Sequence, residues 1–305
     1  MKVGVDCALC LFQRGYMGIL EATEDPKLRL EAARLLLQML AENYEPSAVP
    51  SVIGTKRERL IKKATGNPDP YAKMKQISNQ EALKALPFAE KLVSAEPNAE
   101  SKFREACLCA IVGNIIEFHI PGHEFSFGDI KRFIAEAEKD LVIDDVVEAF
   151  KIAKKASLIL YLTDNVGEIA FDTLLVRELK NLGANKRVVV AVKGEPVHND
   201  ATMEDALYVG MDKVADSLIT VGAAAMGLIP SECNEEFLDI YNSADFVVAK
   251  GMGYAETLTE LDLKVPHLLL LRTKCMNVAN YFQVERHKNV ANLLCPNRAL
   301  KNNPP

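Results

Sequence analysis

Five short apolar runs in the second half of the chain constrain its fold more than any other feature. They are ASLILYL (156–162), RVVVAVK (187–193), DSLITVG (216–222), ADFVVAKG (244–251) and VPHLLLLR (265–272). A strand covered by helices on both faces reads as an unbroken apolar run, whereas a half-exposed strand alternates. Amphipathic stretches at 167–181, 201–211 and 231–242 separate the first four runs. Strand, helix and strand in series imply right-handed crossovers and a doubly wound parallel sheet.

The first 155 residues follow a different pattern. In PKLRLEAARLLLQMLAEN (26–43), Pro26 stands near a helix start, and Leu28, Ala32, Leu35, Leu36, Met39 and Leu40 share one broad face. Helical spacing recurs at 51–65, 71–95, 99–118 and 127–138, with breaks at Gly66-Asn67-Pro68, Glu96-Pro97 and Pro121-Gly122. The sequence therefore predicts an all-helical N-terminal domain (1–155) followed by a Rossmann-like α/β domain (156–305).

With 305 residues, 49 % of them apolar, the chain can build a sizeable core without disulfides. Its seven cysteines are odd in number and too sparse for a secreted disulfide scaffold. A net charge of −6 argues against the basic face that nucleic acid requires. No run approaches the ~20 apolar residues that span a bilayer. Asp6 interrupts the short apolar start, so no signal peptide is read. These features lead us to expect a cytoplasmic protein with neither nucleic acid nor membrane as partner. The oligomeric state is left open.

In open parallel sheets, ligands bind beyond the carboxyl ends of the strands. That rule selects four loops. The first holds Asp164, Asn165 and Glu168, and the second holds His198, Asn199 and Asp200. The third, KGMGY, contributes Lys250, Gly251, Met252, Gly253 and Tyr254, and the fourth, RTKC, contributes Arg272 and Lys274. Carboxylate and amide oxygens suit hard cations, while lysines and glycine amides suit phosphate. If Asp164 and Asp200 converged to ~4 Å, their repulsion would be about 4 kcal/mol at an effective dielectric of ~20, and a divalent cation would reverse its sign. Taken singly, Asp164, Asn165 and Asp200 read as helix caps, and Lys250 as a solvated lysine. Their shared rim is what favours a site.

The first loop has one glycine, Gly167, and so lacks G-x-G-x-x-G; no G-x-x-x-x-G-K-[ST] or G-x-S-x-G occurs either. Metal ligands beside basic loops point to phosphoryl chemistry.

The ordered set DNVGE, HND, KGMGY and RTKC resembles the metal-dependent damage-control phosphatases, a family once filed as a domain of unknown function. The N-terminal CALC (7–10) is similar to the C-x-x-C of that family's archaeal and bacterial branch. The resemblance implies a phosphatase acting on sugar phosphates and other small phosphometabolites, with Mg, Mn, Co or Ni as cofactor. It implies Asp164, Asn165 and Asp200 as metal ligands, and Glu168 facing the substrate or the attacking water. Residues 250–254 would wrap the phosphate, Lys274 would neutralise it, and Asn114 would close over the ligand. Where the family pattern has Asn, this chain has Tyr254, which puts inherited substrate choice in doubt. Two rival readings remain: an S-adenosylmethionine-dependent carboxyl methyltransferase, and a phosphometabolite-binding protein without turnover.

Cys7 and Cys10 are spaced for a structural zinc or a redox pair, with buried or inert thiols as the third reading, and Cys107 and Cys109 form a second close pair whose side chains point in different directions on a helix. Cys233, Cys275 and Cys295 read as packing residues. His198 reads as lying behind the ligands or exposed, His119 and His123 as loop residues, and Arg14 as a surface or interdomain cation. Glu204 and Asp205 read as first-turn acids favoured by the helix dipole.

Overall fold

Prolines, a glycine and an aspartate mark the ends of the first helices. The computed structural model describes residues 1–113 and 127–296. Helix α1 (Val5–Ala22) is followed by α2 (Pro26–Asn43), whose N-terminus is capped by the Asp25 carboxylate accepting from the Lys27 and Leu28 amides. Helix α3 (Pro50–Thr65) begins on a proline and ends at Gly66, where φ is 73°. These three helices bury a core of their own that includes Leu11, Ile19, Leu36, Ile53 and Ile61.

The next helices, α4 (Ala72–Ala95), α5 (Ala99–Gly113) and α6 (Phe127–Lys139), form no separate body. Phe103, Cys107 and Ile111 of α5 share one apolar cluster with Ile159, Phe171, Leu175 and Val190 from the sheet layer. Helices α4 and α5 thus cover a face of the sheet, and the expected boundary at residue 155 does not coincide with a boundary between cores.

The remaining elements in order are β1 (Leu141–Asp144), α7 (Val146–Lys155), β2 (Leu158–Leu162), α8 (Glu168–Asn181), β3 (Arg187–Val192), α9 (Met203–Tyr208), β4 (Ser217–Thr220), α10 (Glu235–Ser243), β5 (Phe246–Lys250), α11 (Gly251–Leu258), β6 (His267–Arg272), α12 (Met276–Phe282) and β7 (Asn289–Leu294). All five predicted runs are strands. Two further strands extend the sheet, giving the order β1-β7-β6-β5-β2-β3-β4. Every neighbouring pair is parallel except β6 with β7. The architecture is therefore α/β, with a mostly parallel seven-stranded sheet.

After β2 the chain steps outward through β3 and β4, then returns to place β5 on the other side of β2. This reversal is the topological switch point, and a crevice opens there beyond the carboxyl ends of β2 and β5. No helix among the described residues is long and apolar enough to cross a membrane.

Candidate functional site

A cavity of about 210 Å³ lies over the switch point, walled by strand-end loops on one side and by α1 and α3 on the other. Helix α3 is fastened over these loops: Thr55 Oγ1 accepts from the Met226 amide at 2.9 Å, Lys62 donates to the Pro196 carbonyl at 2.6 Å, and Arg59 pairs with Glu232.

Backbone bonds lace the first two predicted loops together. The Ala201 amide donates to the Asp164 carbonyl at 2.8 Å, and the Val166 amide donates to the Asn199 carbonyl at 3.0 Å. Asn165 and Asp200 face one another across this bridge. From below, Asn79 of α4 accepts from the Gly167 amide at 2.8 Å and donates to Asp205 at 2.7 Å. The turn that presents Asp164 and Asn165 is thus clamped by three elements.

Asp164, Asn165 and Asp200 all line the cavity. Burial raises the Asp164 carboxyl well above the usual carboxylate range, and the charges of Glu168 and Asp200 add to the rise. Burial also lifts Asp200 to about 6, against the pull of the Lys193 ammonium 3.5 Å away. Like charges crowded in a low-dielectric pocket have this effect. The Asn165 amide nitrogen donates to Asp164 at 2.8 Å and to Glu168 at 3.1 Å. Both of its N–H groups are thereby used, and the carbonyl oxygen is left as an acceptor. Among the described residues, no three His, Cys, Asp or Glu side chains gather into a metal cluster. The candidate set here is two carboxylates and one amide. All three donors are oxygen, and the Asp200 charge adds to the rise at Asp164, so the set fits a hard divalent cation.

Lys274, Met252 and Gly253 also line the cavity. Burial pulls the Lys274 ammonium below the usual lysine range, while Glu168 and Asp164 oppose that pull. Gly251 has φ 81°, and a Cβ built there would meet the Asp164 carboxylate at 1.9 Å. The glycine therefore serves the close approach of β5's end to Asp164.

Three expected phosphate contacts, Lys250, Gly251 and Tyr254, are absent from the cavity wall. Lys250 is fully buried, donating to the Ala110 carbonyl and Asp172 at 2.9 Å each and pairing with Glu168. Burial alone would lower its pKa, but the two carboxylates outweigh burial and raise it. Lys250 therefore secures Glu168 from beneath. Tyr254 is also turned inward. Its hydroxyl accepts from Lys193 at 3.2 Å, and the Lys193 ammonium sits 4.4 Å from its ring centre. Glu168 is buried in the Lys250 pair and lies outside the cavity lining. Asn114, His119 and His123 fall outside the described residues.

His198 and Asn199 lie on the wall. Burial pushes His198 down to about 4, so the ring stays neutral near pH 7. Cys7 and Cys10 reach the wall from α1, joined by Cys275, and all three are free thiols. Cys107 and Cys109 are buried in the sheet-side core, so no four-thiolate site forms. Arg14 lines the cavity as well.

Sequence reasoning missed Lys193, Arg57, Ser51 and Glu256. Arg57 forms a buried pair with Glu58 on the cavity wall at 2.7 Å. A lysine closing the strand RVVVAVK was a legible hint of the first. The others come from helices whose facing surfaces only the fold brings together.

Comparison with known proteins accords with this geometry. The family model for the damage-control phosphatase ARMT1-like domain matches residues 3–290. A damage-control phosphatase of Archaeoglobus fulgidus is 34 % identical over 280 residues, covering 92 % of this chain and 94 % of the relative. One from Pyrococcus horikoshii is 33 % identical over 288 residues, covering 94 % and 96 %. A crystal structure of a DUF89 family protein from Pyrococcus horikoshii superposes with a TM-score of 0.85 at 33 % identity, covering 95 % of this chain and 98 % of that one.

Proposed function

The chain belongs to the damage-control phosphatase ARMT1-like family, and from that premise we propose that it is a metal-dependent phosphatase of small phosphorylated metabolites such as sugar phosphates. One observation carries the reading. A buried acid, Asp200, a half-buried acid, Asp164, and an amide, Asn165, converge on a cavity that also exposes Lys274.

A divalent ion (Mg, Mn, Co or Ni) held by Asp164, Asn165 and Asp200 would supply positive charge against the phosphoryl oxygens and lower the pKa of water. Lys274 and the backbone at Gly253 face the same space and would offset the charge of the transferring phosphoryl group, a preorganised electrostatic contribution. Lys250 and Glu168 act one layer back. Lys250 fixes Glu168, and Glu168 in turn holds the Asn165 amide with its oxygen free. Lys193 holds Asp200 and is itself held by Tyr254 and the Gly227 carbonyl. The proton of the attacking water passes to one of the carboxylates at the cavity wall.

The test is phosphate release from an aryl phosphate and a set of sugar phosphates by metal-stripped protein, with each ion added back in turn. We expect release that requires metal and disappears in Asp164→Ala with the fold intact. Equal release without metal, or full activity in the variant, would overturn the proposal. Methyl transfer from S-adenosylmethionine without phosphate release would favour the methyltransferase rival.

A further inference from the structure

Two arginines reach the cavity from its helical side and have no part in the chemistry above: Arg14 and Arg57. On α1, Cys7, Cys10, Leu11 and Arg14 recur at helical spacing, so one face of the helix runs along the cavity. Arg14 ends this row, about 10.5 Å along the axis from Cys7. Its sequence suggested a surface or interdomain cation, yet it makes no ion pair or hydrogen bond among the described residues.

Arg57 reaches the same place from α3. A Cβ built at Gly15, the residue after Arg14, would lie 3.0 Å from Arg57 Cδ. Arg57 is 2 % exposed, and Glu58 accepts from its Nε at 2.9 Å and from its Nη2 at 2.7 Å. A guanidinium has five N–H groups, and those on Nη1 have no acceptor among the described residues. Glu58 neutralises Arg57 and leaves the Arg14 charge unbalanced.

That charge is felt inside the cavity, although Arg14 itself is exposed. Burial is the main reason His198 and Lys274 titrate low, but Arg57 and Arg14 add to the effect at His198, and Arg14 adds to it at Lys274. The guanidiniums stand on α1 and α3, whereas the candidate metal ligands and Lys274 come from strand-end loops. A phosphate held by the loops therefore leaves the arginines to a different group of the same small molecule.

We infer that Arg14 and Arg57 form a second anion subsite, so that preferred substrates carry a further acidic group, carboxylate or phosphate, at the end remote from the phosphate that is removed. Such an oxyanion accepts from Arg57 Nη1 and balances the Arg14 charge, and planar N–H forks suit both kinds of oxyanion. A substrate ending in a neutral hydroxyl leaves the Arg14 charge uncompensated. The inference rests on the phosphatase reading of the same cavity.

The experiment measures kcat/KM with one metal on three esters: a hexose monophosphate, the corresponding bisphosphate, and the aldonic acid phosphate of the same chain length. Wild type is expected to prefer the two doubly acidic esters by about ten- to a hundredfold, the scale of a charge-assisted hydrogen bond. In Arg14→Gln this preference should fall about tenfold through KM, and in Arg14→Glu it should reverse. Arg57→Lys, which keeps a cation beside Glu58 but removes Nη1, should lower it too. A purely structural role would reduce all three esters alike; that result, or an unchanged preference in Arg14→Gln, overturns the inference. If wild type releases phosphate from none of the esters, the phosphatase reading fails. The Kd ratio of doubly acidic to singly acidic ester, measured by calorimetry in wild type and Arg14→Gln, then decides the subsite by itself: equal ratios overturn it.

Discussion

Substituting alanine for Gly251 addresses the backbone and the site together. The residue has φ 81°, where a side chain costs about 1–2 kcal/mol. The added Cβ would stand 1.9 Å from Asp164 Oδ2, so restoring ordinary contact at 3.4 Å requires the carboxylate to retreat by about 1.5 Å. Asp164 is a flexible side chain and can swing away, so the fold should survive with a loss of about 1–3 kcal/mol. The site should fare worse, because misplacement on the order of 1 Å costs about a hundredfold in rate. Urea unfolding would give the first quantity, and metal-dependent phosphate release at saturating metal the second. The reasoning predicts a small stability change beside a large fall in kcat. Wild-type turnover in Gly251→Ala would refute it, because the carboxylate would then not need its present position.

Other predictions follow from the buried groups. Lys250→Met leaves Glu168 and Asp172 without their cation in the core, and should destabilise by about 3–5 kcal/mol in urea; a loss under about 1 kcal/mol would contradict the ion-pair assignment. His267 donates from Nδ1 to the Val265 carbonyl and accepts from the Tyr241 hydroxyl at Nε2, and burial holds it at about 4. Because the folded pKa lies below the unfolded ~6.5, its contribution is intact above pH 6.5 and is lost as pH falls toward 4. Between pH 7 and 5, wild type should therefore lose about 2 kcal/mol more than His267→Gln, measured by urea unfolding at both values; equal losses would contradict the burial argument. Chelation followed by add-back should restore phosphate release in wild type and leave Asp164→Ala inactive.

The strands that became legible are those buried on both faces, since composition alone marks them. The two missed strands are different. Strand β1 alternates between half-buried and exposed residues over only four positions, and β7 carries Asn289 and Asn292 within its apolar run. Asn289 is used to receive Arg272 and to donate to the Ala137 carbonyl, a tertiary demand that no local pattern displays. The N-terminal helices were readable as helices, but periodicity shows which face is apolar and does not say what covers it. Helices α4 and α5 therefore looked like a separate domain while packing on the sheet.

At the site, loop position beyond the strand ends identified Asp164, Asn165, Asp200, Gly253 and Lys274 as neighbours of one cavity. Lys250 misled because a lysine beside glycines suits phosphate. A counter-signal was present: Glu168 and Asp172 lie four residues apart on α8, on one helical face, where two acids call for a cation. Ser51 and Glu256 gave no such signal, since each is unremarkable on its own helix and they meet only through the packing of α3 against α11.

Anomalous diffraction from crystals grown with manganese and inorganic phosphate tests the central claim most directly. The account predicts one manganese peak bounded by Asp164, Asn165 and Asp200, with phosphate between it and Lys274. A peak elsewhere, such as among Cys7, Cys10 and Cys275, or phosphate bound with no metal beside these three residues, would contradict it.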